Sequence, residues 1–382
     1  MSVVSSRPTP DLPVSAAGAA SAGAVLTVDL AALRANYRRL RLEAGGAAVA
    51  GVVKADAYGL GAERIAPVLW EEGCRSFFVA HLSEALLLRP VLPHDAEIFV
   101  LNGLAPGDEA RCAAAGIVPV VNSASQLAAW SALGRALGKR LPAALQLDSG
   151  MARLGLSPGE VLAIEAEPER LEGVETVLVM SHLACADEPA HPANPAQLAA
   201  FRALAARLPA ARRSLANSAG LFLGSDYRFD LCRPGIALYG GKPTEGPVNP
   251  MRAVARLDAR VIQLRDVPAG TGVGYGWSLV APGAMRLATI GIGYADGWPR
   301  SLSNRLGAFL DGTRLAAAGR VSMDSVILDA GGAPLSPGDL VELIGPHQTL
   351  EEVAAAAGTI PYEILTALGQ RFERRYVEGR LA

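Results

Sequence analysis

The chain has little cysteine, almost no net charge and no long apolar run, and each shortage excludes something. Its four cysteines, Cys74, Cys112, Cys185 and Cys232, lie far apart and show no metal-ligand spacing. No metal is expected, and they read as small reduced core residues. The formal net charge is −2, with no basic face evident in the sequence. That argues against nucleic acid as a partner, which requires a basic face to displace counterions. No segment stays apolar, free of Gly, Pro and charge, for the ~20 residues that a bilayer crossing needs, so no membrane contact is expected. Residues 1–24, rich in Ala, Ser, Pro and Gly, lack the charged start and sustained apolar run of a secretory signal. They read as a flexible tail, and the protein as soluble and cytoplasmic.

What is present is a regular alternation. The chain has 382 residues, 51% of them apolar and 19% charged, which is enough for a sizeable core and about two domains. Between 48 and 240 short apolar runs alternate with Ala/Leu-rich amphipathic stretches. The runs are AVAGVVKA (48–55), SFFVAH (76–81), EIFVLN (97–102), IVPVVN (117–122), AALQLD (143–148), TVLVMSH (176–182), RRSLAN (212–217) and DLCRPGIALYG (230–240). Such runs fit buried parallel strands joined by helices, and eight of them predict a (β/α)8 TIM barrel. At or near their C-terminal ends stand Lys54, His81, Asn102, Asn122, Asp148, His182, Asn217 and Arg233. Barrel enzymes place their chemistry on that face; Asn122 and His81 read equally well as strand and helix caps.

After GGKPTEGP (240–247) the texture changes. AVARLDARVIQLRDV (253–267), MRLATIGIGYA (285–295), VSMDSVILDA (321–330) and DLVELIG (339–345) are separated by Gly- and Pro-bearing turns, the chemistry of strands without regular helices. LEEVAAAAG (350–358) is the one clear helix, with Gly358 as C-cap. The predicted domains are a barrel over 25–242 and a mainly β domain over 243–382. The strand VLTVDL (25–30) could belong to either.

Lys54 ends a buried apolar strand in GVVKADAYGLG (51–61). Burying an ammonium is costly unless it is neutralised or paired, so the position suits a lysine of lowered pKa that acts as a base or forms a Schiff base. A snorkelling or salt-bridged lysine is the alternative. The loops after the seventh and eighth runs, ANSAG (216–220) and RPGIALYG (233–240), offer Ser218, Gly220 and Gly235 to an anion, although an Asn-Ser pair also makes ordinary helix caps. A phosphate-bearing cofactor that reacts with an amine would use both features, and pyridoxal phosphate is the common one.

At this point VVKADAYGLG (52–61) resembles the cofactor-lysine motif of the alanine racemase family. LDSGMARLG (147–155), SHLACADE (181–188), ANSAG, RPGIALYG, VGYGWSL (273–279), IGYADGWPR (292–300), GRVSMD (319–324) and TIPYE (359–363) continue the likeness in order. It covers residues 25 to 377. The resemblance implies pyridoxal phosphate held covalently on Lys54, its phosphate bound by Tyr58, Ser218, Tyr362 and the backbone of Gly235 and Ile236, with Asn217 in the same loop. Arg233 would face the ring nitrogen, buttressed by His182, and a guanidinium neither accepts nor readily gives a proton near neutrality. A weaker electron sink would then suppress side reactions.

Racemisation needs bases on both faces of Cα. The resemblance assigns Lys54 to the D-alanine side and Tyr275, in GYGW, to the L-alanine side; without it, Tyr275 would read as a packed tyrosine in a glycine turn. Arg153 would touch the cofactor's phenolic oxygen and the substrate, and the Met323 N–H the substrate carboxylate. Asp187, Tyr294, Arg300, Arg320 and Ile360 would line the passage into the site. The family's second-domain tyrosine acts in the partner's barrel, which implies a homodimer with shared sites. Two positions depart from a common family pattern. Gln146 replaces a lysine that many members carry as a carbamate beside the arginine at Arg153, so no carbamate is expected. Ser322 replaces a cysteine.

Three rival functions carry distinguishing features. A broader serine, lysine or arginine racemase tends to have a smaller residue than Tyr362. A decarboxylase would need an acidic partner for the ring nitrogen where this chain has Arg233. A non-catalytic cofactor-binding barrel would lack residues 243–382.

Overall fold

The fold was obtained as a computed structural model describing residues 22–246 and 248–379. Most of the expected tail, residues 1–21, lies outside the described residues. Of the described residues at its end, Gly23 O accepts from Arg260 N at 2.8 Å and Ala24 opens the strand Ala24–Asp29. Two compact units are present.

One unit comprises Thr27–Arg256, Ile344–Leu368 and the described residues from 376. Its parallel strands follow chain order through Gly51–Val52, Ser76–Val79, Glu97–Val100, Val118–Val121, Leu141–Gln146, Val174–Met180 and Arg212–Ser214. The eighth, Leu231–Cys232, pairs with Ala48–Val49. Ala50 N donates to Cys232 O and Arg233 N to Ala216 O, both at 2.9 Å, which closes the ring. The (β/α)8 barrel is therefore complete, and each strand falls on one of the eight apolar runs. Phe78 and Phe99 stack at 4.6 Å between adjacent strands.

Helix starts follow local chemistry. Asp29 Oδ1 accepts from Ala32 N at 2.9 Å to open Leu30–Ala44, and Ser157 with Glu160 forms a capping box before Pro158–Ala166. Only short turns, Gly220–Phe222 and Ser225–Tyr227, follow the seventh strand. Helix Leu30–Ala44 packs beside the segment that follows the eighth strand and beside Ala48–Val49: Asn36 Nδ2 donates to Leu238 O at 3.1 Å, and Tyr37 Oη to Val49 O at 2.8 Å.

The second unit holds residues 22–26, Leu257–Leu343 and Gly369–Arg375. Its sheet runs Met285–Ile290, Val326–Asp329, Thr313–Ala317, Gly307–Leu310, Leu340–Ile344, Ala255–Val267, Ala24–Asp29, Glu373–Val377. Met285–Ile290 also pairs antiparallel with Ala255–Val267, curling the first six strands into a barrel around Val267, Val273, Leu287 and Ala318. The mainly β character matches expectation. Helix Leu350–Ala357 and a second, unanticipated helix Pro361–Ala367 belong to the barrel unit, because compactness follows packing and not chain order. Among the described residues no helix is long and apolar enough to cross a membrane.

Candidate active site

A cavity of about 790 Å³ opens at the C-terminal face of the barrel. Lys54 reaches it from the first strand's end, His182 from the sixth, Asn217 and Ser218 from the seventh, and Arg233 and Gly235 from the eighth. Tyr58, Arg153, Ile236 and Tyr362 complete the expected cofactor set, and Asp187 and Ile360 also line the cavity. Of the remaining strand-end residues, Asn122 and Asp148 bond backbone groups through their side chains. Asn122 Nδ2 donates to Leu101 O and Val120 O, while Asp148 Oδ1 accepts the N–H groups of Gly150, Met151 and Ala152. Asn102 O accepts from Gln126, and His81 N donates to Glu84.

Lys54 is presented by an unusual backbone. Ala55, Asp56, Ala57 and Tyr58 all have φ between 53° and 58°, one turn of left-handed helix, which costs L-residues roughly 1–2 kcal/mol each. The turn is over-determined by its surroundings. Asp56 Oδ1 accepts from Ala62 N at 2.7 Å and Asp56 O from Gly61 N at 2.9 Å, and Ala57 and Tyr58 are buried. Gly59 continues it at φ 82°, where a Cβ would lie 2.6 Å from Leu365 O of the helix bearing Tyr362. Glu84, not among the residues expected from sequence, accepts from Ala55 N at 2.6 Å, Ala80 N at 2.7 Å and His81 N at 2.9 Å. Its signal was available: a glutamate three residues after a helix N-cap is one half of a capping box. Burial, and then the Arg153 cation, push the Lys54 ammonium below its ordinary pKa, while Glu84 opposes them. A larger share of neutral amine suits a base or nucleophile.

Arg233 is buried with no carboxylate partner among the described residues. It donates to Ser214 Oγ and, at 2.6 Å, to Ser181 O, and its guanidinium stands over the Phe78 ring at 5.9 Å. Burial lowers its pKa to about 10, so it remains a cation near neutrality. His182 is pushed down to about 3 by burial, then by Arg233, Arg153 and Lys54, and is neutral. Its carbonyl accepts from Gln197 Nε2 at 3.1 Å, while Gln197 Oε1 accepts from Ala184 N at 2.9 Å.

The seventh and eighth loops form a cradle. Ser218 Oγ accepts from Gly235 N at 2.9 Å and Ala237 N at 3.3 Å. A Cβ on Gly235 would lie 2.1 Å from Tyr58 Oη, so only glycine leaves that hydroxyl room. The N–H of Ile236, a residue 1% exposed, donates to no group among the described residues. A hydroxyl, tyrosine hydroxyls and an unengaged buried N–H are a donor set that fits a phosphate, and Lys54 and Arg233 suit the amine-reactive and ring-nitrogen ends of pyridoxal phosphate.

The other expected residues lie in the β unit. Tyr275 is 69% exposed, on a turn where Gly274 and Gly276 have φ of 65° and 67°. Arg320 packs its guanidinium at Gly276. Tyr294 N donates to Ser322 O, and Ala295 N to Met323 O, both at 3.0 Å, so the Tyr294 and Met323 loops are tied together. The Met323 N–H donates to no group among the described residues. Ser303 Oγ accepts from Val321 N and donates to Arg300 O, joining Arg300 to the same cluster. Residues not singled out from sequence also line the barrel cavity, among them Lys242, Glu245 and Glu351. Lys242 N donates to Glu351 Oε1 at 2.8 Å and Glu245 N to Asp187 O at 3.0 Å; nothing in their spacing along the chain announces this.

Residues 28–243 match the family described as "Alanine racemase, N-terminal domain", and residues 254–376 "Alanine racemase, C-terminal domain". The chain is 57% identical over 366 residues to "Alanine racemase, catabolic" of Agrobacterium fabrum, covering 95% of this chain and 94% of that one. It is 54% identical over 373 residues to alanine racemase of Brucella canis, covering 94% of each. The structure resembles that of alanine racemase from Bartonella henselae "with covalently bound pyridoxal phosphate". The TM-score is 0.90 at 47% identity, with 93% of this chain and 100% of that one covered. The two domain matches together span both units of the structure, and the chain belongs to the alanine racemase family.

Proposed function

We propose that this protein interconverts L-alanine and D-alanine with pyridoxal phosphate bound in the barrel cavity. The observation that carries the reading is the convergence of the Lys54 amine, the buried Arg233 and the Ser218–Ile236 cradle on one cavity. When bound, the cofactor supplies an aldehyde that takes the amino acid's nitrogen and a ring that withdraws electrons from Cα. Ser218, Tyr58, Tyr362 and the Ile236 N–H hold the phosphate. Arg233 faces the ring nitrogen and keeps its own proton, which limits the lifetime of charge at Cα and with it side reactions. Lys54 removes or returns the Cα proton on the D side.

The base on the L side is the partner subunit's Tyr275, so the working form is a homodimer with shared sites. The exposure of Tyr275 at 69% and Met323 at 53% supports this, as does the unengaged Met323 N–H, a donor available to a substrate carboxylate. Tyr362 and Ile360 at the cavity favour a small side chain over serine, lysine or arginine relatives. Asp187, Tyr294, Arg300 and Arg320 serve access. Four unpaired cysteines are in keeping with a cytoplasmic setting, where the reversible reaction can supply D-alanine for the cell wall or consume it.

Incubation with L-alanine in deuterated water tests the proposal. Cα exchange and loss of optical activity are expected; exchange-free substrate with cofactor bound would sink it. Tyr275→Phe is expected to block exchange from L-alanine far more than from D-alanine.

A further inference from the structure

We propose that Glu84 is a positioning residue for Lys54: its carboxylate clamps the left-handed turn that follows the lysine to the end of the second barrel strand, and so aims the amine. The inference rests on the proposed role of Lys54. One carboxylate oxygen accepts from Ala55 N, the first residue of the turn, at 2.6 Å; the other accepts from Ala80 N at 2.7 Å and His81 N at 2.9 Å. Glu84 thus ties the residue next to Lys54 to the loop after Ser76–Val79, the strand whose parallel neighbour Gly51–Val52 delivers the lysine. A backbone that L-residues avoid keeps its shape only when its surroundings dictate it, and here the carboxylate engages the N–H at its start. Half-buried, Glu84 also places a negative charge beside a lysine whose ammonium is otherwise disfavoured by burial and by Arg153.

Only a carboxylate can fill this place. It accepts on both oxygens, whereas the amide of Gln, equal in length, must turn its NH2 toward one set of N–H donors. Glu84→Gln therefore releases either Ala55 or the Ala80–His81 pair. Released, Lys54 is misplaced on the scale that costs proton transfer about 10²-fold, with no change in the groups that bind substrate.

Wild-type, Glu84→Gln and Glu84→Asp holoproteins are compared in both directions with Cα-protonated and Cα-deuterated alanine, alongside melting temperature and cofactor content. For Glu84→Gln the expectation is a kcat lower by about 10²-fold with KM little changed. The deuterium isotope effect should rise for D-alanine, whose proton Lys54 removes, and not for L-alanine. Glu84→Asp, which keeps the charge but loses the reach, should behave alike and carries the test if Glu84→Gln does not fold. Wild-type isotope effects in both variants overturn the proposal, whether kcat is retained or falls in step with melting temperature and cofactor content; the latter result assigns Glu84 to the fold alone. A wild-type protein that does not racemise alanine refutes instead the function on which the inference rests.

Discussion

Arg233 and His182 show how burial sets the chemistry of single residues. Arg233 keeps its charge in spite of complete enclosure because two oxygen acceptors and an aromatic face replace its hydration. His182 has no such compensation and three cations nearby, so its neutral form wins, with a pKa of about 3 against an ordinary 6.5. The consequence for stability has a definite sign. Below pH 6.5 the unfolded chain takes up a proton that the folded chain refuses until about pH 3. Stability from this group is therefore present above 6.5 and lost as pH falls through that window. Melting temperatures of the cofactor-free chain should decline over that range. His182→Gln should flatten the decline; an unchanged slope would show that His182 is protonated in the folded chain.

At the scale of elements, the left-handed turn 55–58 and helix Pro361–Ala367 depend on each other through Gly59. An alanine there meets Leu365 O at 2.6 Å while held at φ 82°, and neither backbone can retreat without moving Tyr58 or Tyr362. Gly59→Ala should destabilise by roughly 2–4 kcal/mol, combining overpacking with left-handed strain. Denaturant unfolding measures this; a change within about 0.5 kcal/mol, as for ordinary surface sites, would mean that the two elements are not in close contact. Rings link the same group, with Tyr58 at 4.7 Å from Tyr239 and 5.9 Å from Tyr362. Tyr239 in turn donates to Val52 O at 2.8 Å, so the strand that carries Lys54 is pinned from within.

For the whole molecule the proposed homodimer makes a sharp prediction, because its two bases lie on different chains. Neither Lys54→Ala nor Tyr275→Phe subunits should racemise alone at wild-type rates. Mixed and allowed to exchange, they form heterodimers with one complete site, restoring about a quarter of wild-type activity. No recovery would place both bases on one chain.

The eight apolar runs made the barrel legible, because parallel strands buried on both faces must be continuously apolar, and the residues closing those runs marked its functional face. Lys54, Arg233 and the Ser218 loop could be found that way since each sits within a few residues of a strand end. Tyr362 and Ile360 were legible only through the family likeness of TIPYE, and Glu84 only as one half of a capping box, with no sign of its reach to Ala55. They reach the cavity through packing: a helix more than a hundred residues beyond the last barrel strand returns to the barrel unit, and a carboxylate on one helix satisfies the backbone of another loop. The sequence by itself determined the strands, the chemistry-bearing residue types and the kinship. The tertiary structure alone decided the left-handed backbone at Lys54, the neutral state of His182 and the limits of the two units. These depend on which groups lose their water and which neighbours remain to bond them, and neighbours in space are not written in chain order.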